Sequence, residues 1–255
     1  MFKNFDKPIF IGKNLIYLPA CQSTNDLALE MLKNNDIKDG TVIVTSEQTN
    51  GRGQRGNKWF SAPGKNLTFS ILTNIGKLPV NHLFKLSMAV STAITDALAE
   101  RFENVNTNPL KIKWPNDIYY NKSKLGGILI ETLNNEKEKW AVIGIGLNIN
   151  QENFNYLNAT SLKLILGNEF SLPAICEDIC IALEKKLALI FYFPDEIDIY
   201  YYKRLLGYHE VMRFKTGEKL FDGLIKGVAA DGKLILQVEK EIMYFDKKEI
   251  SFLLN

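Results

Sequence analysis

The sequence predicts an α+β fold that ends in a small all-β barrel. Three patterns in it point there. Before Gly207, strand-like and helix-like runs are mixed without the strict strand–helix–strand alternation of a parallel sheet. Long helical periods occur only twice, from His82 to Arg101 and again after Ser171. After Gly207, short alternating runs separated by TGE, ADGK and KKE read as about five strands, the pattern of a small barrel. The boundary falls at residues 1–206 and 207–255, with no low-complexity linker between the two parts and no internal repeat, so the parts are expected to pack together.

CQSTNDLALEMLKNN reads as a loop entering a helix, with Ser23 or Thr24 as cap and Leu27, Met31 and Leu32 at helical spacing. TVIVTSEQ is a short buried strand. NLTFSIL alternates, with Leu67, Phe69 and Ile71 on one face. In the first long helix Leu83, Leu86, Val90, Ala93, Ala97 and Leu98 recur at helix period. KIKWP, GILIETL and WAVIGIGLNI are strands. The second long helix carries a core stripe of Ile175, Ile179, Leu183, Leu187 and Ile190, and a shorter one follows from Asp195 to Leu206.

Composition excludes several classes. The 255 residues are 46% hydrophobic and 24% charged, which suits a globular chain with a real core. A net charge of +2 is too small for a nucleic-acid or membrane coat, so any anion must be bound by local basic loops. The N-terminus lacks the apolar run and cleavage site of a signal peptide, and no apolar run approaches the roughly 18 residues of a membrane span. Cys176 and Cys180, four apart on a helix, read as buried thiols. With two histidines and no C-x-x-C, zinc is not expected, and a cytoplasmic, reducing location is.

The most informative stretch is GRGQRGNKWFSAPGKNLTFS, Gly51 to Ser70. Gly51, Gly53 and Gly56 satisfy G-x-G-x-x-G, yet Pro63, Gly64 and a strand follow where a dinucleotide site needs a helix N-terminus. No Walker motif occurs either. An anion would therefore be met by the side chains of Arg52 and Arg55, whose planar forks match carboxylate or phosphate oxygens. The plainer alternatives are a solvated surface loop and, for Trp59, simple core packing. In KIKWPNDIYYNKSKLGGILIE, Pro115 ends a strand, Asn116 and Asp117 project from the turn, and Lys124 precedes Gly126 and Gly127. GIGLNIN places two glycines in a strand, a mark of close backbone approach, with Asn148 on or beside it.

STN, EQTNGRGQRGNKWFS, KWPND, KLGGILIE and GIGLNIN, in this order and at about this spacing, resemble a biotin protein ligase. The resemblance is specific from Ser23 to Asn150 and extends to the rest in layout. It implies a class II synthetase-like mixed sheet flanked by helices, with an SH3-like C-terminal barrel. It also implies synthesis of biotinyl-5′-AMP from biotin and ATP with Mg²⁺, then transfer of biotin to one lysine of a carboxylase carrier domain. By similarity, Ser23, Thr24, Asn25 and Gln48 lie at the biotin ring. Arg52, Gly53 and Lys124 lie near the biotin carboxylate and the phosphate. Trp59 borders the adenine, while Asn116, Asp117 and Asn148 line the nucleotide side. Arg52, Lys124 and Asp117 form the catalytic set; Asp117 is the candidate Mg²⁺ ligand and the candidate holder of the acceptor lysine's proton, against the alternative of a turn-capping Asp.

Where many members carry later arginines in this loop, the chain has Gln54 and Asn57, with Arg55 between them. Gln54 brings a hydrogen-bonding amide but no charge, so adenylate is held less tightly unless Arg55 compensates. Because STN begins at Ser23, no helix-turn-helix is expected ahead of it, and DNA is not an expected partner. The family includes dimers, but the sequence locates no interface. The rival readings are a lipoate ligase, a non-catalytic biotin or nucleotide sensor, and a nucleic-acid-binding module suggested by the small barrel.

Overall fold

The structure, a computed structural model, describes residues 2–34, 37–76, 78–102, 109–134, 139–154 and 158–254. In the first part β1 (Leu15–Cys21), α1 (Thr24–Lys33), β2 (Val42–Gln48), β3 (Leu67–Asn74) and α2 (Leu83–Ala99) come first. They are followed by β4 (Leu110–Lys113), β5 (Asp117–Tyr120), β6 (Ser123–Asn134) and β7 (Lys139–Leu147). Then come α3 (Leu162–Leu166), α4 (Leu172–Tyr192) and α5 (Glu196–Arg204). The last part holds β8 (Val211–Thr216), β9 (Lys219–Val228), β10 (Leu234–Val238), β11 (Glu241–Phe245) and β12 (Ser251–Phe252).

β1 to β7 form one mixed seven-stranded sheet in the order β1-β2-β3-β7-β6-β5-β4, in which β1 and β2 are parallel and the other pairs antiparallel. Side chains alternate between faces along each strand. Val42, Val44, Leu67, Phe69, Ile71, Ile143 and Ile145 turn one way, into the main core with α2 and α4. Ile43, Leu72, Trp140 and Val142 turn the other way, onto Ala28 and Leu32 of α1. The sheet is thus flanked by helices on both faces, and the predicted shared face of Leu67, Phe69 and Ile71 is as expected. Ser23 is the residue that caps α1, its Oγ accepting from the Asp26 amide at 3.4 Å. Ser171 caps α4, which buries Cys176 and Cys180. No helix among the described residues is long and apolar enough to cross a membrane.

Two strands escape the sequence pattern. β1 exposes or half-buries every residue, so it has no apolar alternation to read. β5 begins at Asp117, which the pattern assigns to a turn; the turn is shorter, covering Trp114 to Asn116, and contains a cis Trp114–Pro115 bond. α3 is also unannounced, being only five residues long.

The last five strands form a separate antiparallel sheet, β11-β10-β9-β8-β12. This corrects the expectation of a closed barrel. The strand count holds, but β11 and β12 stand at opposite edges, and β12 has only two residues, both spent on pairing with β8. The two sheets share one core: Phe214, Ile225, Leu234, Leu236 and Phe245 pack in the same cluster as the first sheet's main face. The junction is also hydrogen bonded. Leu206 N–H donates to Ile112 O at 2.9 Å, and the buried Trp114 indole donates to Gly232 O at 2.9 Å.

Trp114→Phe keeps the ring's packing but orphans the Gly232 carbonyl. It should lower stability by about 1–2 kcal/mol, the cost of an unpaired buried acceptor. The check is the urea midpoint, with an unchanged slope.

Candidate active site

The site lies on the α1 side of the first sheet. On that face β7 presents Trp140 and Val142, then Gly144 and Gly146. The large pair packs against α1, and the glycine pair leaves an opening. Across the ladder Gly127, Leu129 and Glu131 of β6 stand opposite Gly146, Gly144 and Val142. Thr68 and Ser70 of β3 face Gly146 and Gly144 from the other side. The result is a cavity of about 370 Å³. A Cβ on Gly144 would overlap the Asn25 amide, and one on Gly146 would overlap the Trp59 indole.

The cavity brings together Ser23, Thr24, Asn25, Gln48, Arg52, Gly53, Gln54, Trp59, Asn116, Asp117 and Lys124 from the sequence-predicted set. Asn148 is not among them. It is buried just past β7, its backbone tied to Leu125 and Leu162, because the strand ends at Leu147 and the even-numbered cavity face is not continued to it. The Arg55 side chain lies outside the described residues.

At the inner end the polar groups are already engaged with one another. Gln48 Oε1 accepts from Thr24 N at 2.9 Å and from its hydroxyl at 3.2 Å. Ser70 Oγ lies 2.7 Å from Thr24 Oγ1 and donates to Asn25 Oδ1 at 2.6 Å. The Asn25 amide donates to Glu131 Oε2 at 2.8 Å and to Leu129 O at 3.2 Å. Asn25 is therefore held in one orientation, with its carbonyl and amide ends both assigned by partners.

The glycine loop closes one side. Its strand-like return pairs Gly53 N–H with Asn57 O at 2.7 Å and Trp59 N–H with Gly51 O at 2.9 Å. Arg52 reaches back from it to Glu131, with Nη1–Oε1 at 3.1 Å and Nη2–Oε2 at 2.8 Å, while Asp26 Oδ1 lies 2.6 Å from Nη2. Burial works against the Arg52 charge, but Glu131 and Asp26 outweigh it and push its pKa up, so it stays a cation. Its Nε is buried without a partner, as is the Trp59 Nε1.

On the opposite side Lys124 Nζ pairs with Asp117 Oδ1 at 2.7 Å and sits 5.9 Å from the centre of the Trp59 ring. Asn116 is fixed by donating to Ile128 O at 2.6 Å. The second sheet supplies the remaining wall through Lys247, Lys248, Ile250, Ser251 and Phe252. Six lining side chains are cationic (Arg52, Lys58, Lys113, Lys124, Lys247 and Lys248) against one carboxylate, Asp117. Such a cavity suits a ligand with several negative charges. Among the described residues no group of three His, Cys, Asp or Glu could cage a metal. A lone lining carboxylate fits a magnesium ion that is held mainly by phosphate oxygens and water.

Lys113 and Glu131 were not singled out from the sequence, although both lie inside quoted motifs. Strand parity exposes Glu131, which shares a face with Gly127 and Leu129. Lys113 has no such signal, since its role depends on the second sheet: its Nζ lies 5.5 Å from the Phe252 ring and 5.0 Å from that of Tyr119. Burial pushes the Lys113 pKa down; Asp117 opposes this and Lys124 adds to it. Burial, then Asp117, pushes Tyr119 up to about 12.

Two outcomes follow from this geometry. Gly144→Ala should displace the Asn25 amide and break its bonds to Ser70 and Glu131, costing about 2–3 kcal/mol as overpacking does; urea unfolding and the loss of ligand-induced thermal shift would report it. For Lys113, the folded pKa lies below the ordinary 10.5, so in the window just below 10.5 the unfolded chain binds more protons and stability rises with pH. Lys113→Met should flatten that alkaline rise, read as the urea midpoint at successive pH values.

Comparison with known proteins bears on what fills the cavity. The profile of the biotin/lipoate A/B protein ligase family matches residues 17–148. The chain is 29% identical over 239 residues to the bifunctional ligase/repressor BirA of Bacillus spizizenii, covering 91% of this chain and 72% of that one. It is 28% identical to biotin–protein ligase 2 of Arabidopsis thaliana, covering 96% and 75% of the two chains. Among solved structures, the biotin protein ligase of Aquifex aeolicus in complex with biotin and ATP superposes with a TM-score of 0.77 at 28% identity, over 94% of this chain and 99% of that one. The matched span runs from β1 through the end of β7 and contains the glycine loop, the Lys124–Asp117 pair and the glycine floor; by that match the chain belongs to the biotin/lipoate A/B protein ligase family.

Proposed function

We propose that this ligase joins biotin to a lysine of a carboxylase carrier domain in two steps through biotinyl-5′-AMP. The observation that supports it most is the convergence of Arg52 and Lys124, from separate segments, on one cation-rich cavity. In the first step a biotin carboxylate oxygen attacks the α-phosphorus of ATP. The bond from that phosphorus to the bridging oxygen breaks, and pyrophosphate leaves with the electron pair. Two anions must meet for this, and fixed positive charge lowers the cost. In the second step the neutral lysine amine attacks the acyl carbon, and AMP leaves with the electrons of the broken C–O bond.

Thr24, Asn25 and Gln48 receive the biotin ring at the inner end. Arg52 and the Gly53 backbone face its carboxylate, and Lys124 opposes them across the reacting atoms. Trp59 stacks on the adenine side, joined by Asn116 and Gln54. Asp117 holds Lys124 in place before substrate arrives and afterwards stands near enough to take the acceptor lysine's proton. Asp117 would be the protein ligand of a magnesium ion carried on the triphosphate, which would supply charge neutralisation there. Residues 1–206 serve as the catalytic part. Residues 207–255, in the role of the family's SH3-like domain, complete the wall through Lys247 and Lys248.

The test is pyrophosphate exchange into ATP with biotin, and separately with lipoate, followed by mass analysis of a carrier domain. Biotin-dependent exchange and the mass gain of one biotin on one lysine are expected; exchange with lipoate alone would replace this reading with its nearest rival. Lys124→Ala should slow exchange about 10²- to 10³-fold, the scale for removing one donor to a developing anion. Asp117→Asn should slow exchange, transfer or both by at least about tenfold.

A further inference from the structure

We infer that Glu131 is a positioning residue that joins the inner end of the pocket to the glycine loop. Its ligand assignment rests on the biotin-ligase reading; its geometry does not. One carboxylate serves two elements. Oε2 accepts from Asn25 at 2.8 Å and from Arg52 Nη2 at 2.8 Å, while Oε1 accepts from Arg52 Nη1 at 3.1 Å. Asn25 belongs to the α1 entrance and, through Ser70, to β3. Arg52 belongs to the loop. Glu131 is therefore the point at which the order of the pocket floor passes to the order of the loop.

Asp26 also reaches Arg52 but differs in kind. It touches only Nη2, and its side chain is 45% exposed against 27% for Glu131. A single contact near water is weaker than a fork held on both nitrogens. Glu131 thus sets where the guanidinium sits, and Asp26 adds to its charge balance. Because Glu131 takes the end of the fork, the buried and unpartnered Nε is left as a donor for an incoming anion.

Glu131→Gln is the informative change. The side chain keeps its size, but its new NH₂ must face a donor: Arg52 Nη1 if the amide oxygen takes the shared position, or Asn25 Nδ2 and Arg52 Nη2 if it is turned, so one arm of the hold on the Arg52 fork is lost in either orientation. Trypsin reads the loop directly. In the ligand-free protein, cleavage after Arg52 should be about tenfold faster in Glu131→Gln than in the parent, relative to cleavage after Lys240, because local opening is no longer opposed by the fork. Asp26→Asn should change it by less than about threefold. In the exchange assay Glu131→Gln should raise the biotin KM about tenfold and leave kcat within about twofold, the signature of lost binding order.

Parent-like cleavage after Arg52 and a parent-like biotin KM in folded Glu131→Gln would overturn the proposal. So would a lower kcat with KM unchanged, or an Asp26→Asn effect as large as that of Glu131→Gln. If the parent protein itself shows no biotin-dependent exchange, the function reading fails, and the trypsin comparison still decides the role of Glu131.

Discussion

The cavity exists because one face of β7 runs out of side chains. Trp140 and Val142 fill the gap between the sheet and α1, and Gly144 and Gly146 leave it open where the same spacing continues. The vacated space is then occupied at its margins by Asn25 and Trp59, which meet the bare backbone closely. The other features of the site depend on that opening. The polar network on β3 and β6 has a surface to line, and the glycine loop has something to close over.

Charge in the site is arranged so that it is tolerated before a ligand arrives. Arg52 is offset by Glu131 and Asp26, and Lys124 by Asp117. These pairs hold side chains that would otherwise repel one another in fixed positions, which is what preorganisation requires. Lys113, set among the other cations, has its pKa pushed down by burial and by Lys124, with Asp117 only partly opposing the shift. The cavity thus combines a settled inner end with an electropositive outer end.

Much of this was legible in the sequence, for physical reasons. The glycines of GIGLNIN and Arg52 of the Gly51–Gly56 loop are residue types whose local chemistry has few other uses, and they do meet at one place. The helices α2 and α4 were readable because their apolar stripes are long. What stayed hidden depends on distant packing. β1 lacks a buried face. Asp117 sits at a boundary where turn and strand compete. Lys113 takes its environment from Phe252, more than a hundred residues away in the chain, so no local pattern reports it. Asn148 does not line the cavity because parity continues on paper where the strand itself has stopped.

The cavity wall contains residues from Ser23 to Phe252, drawn from both sheets. A molecule lodged there touches almost the first and almost the last ordered segments of the polypeptide at once. Synthesis from the ribosome therefore cannot complete the compartment until the final strand has emerged and docked.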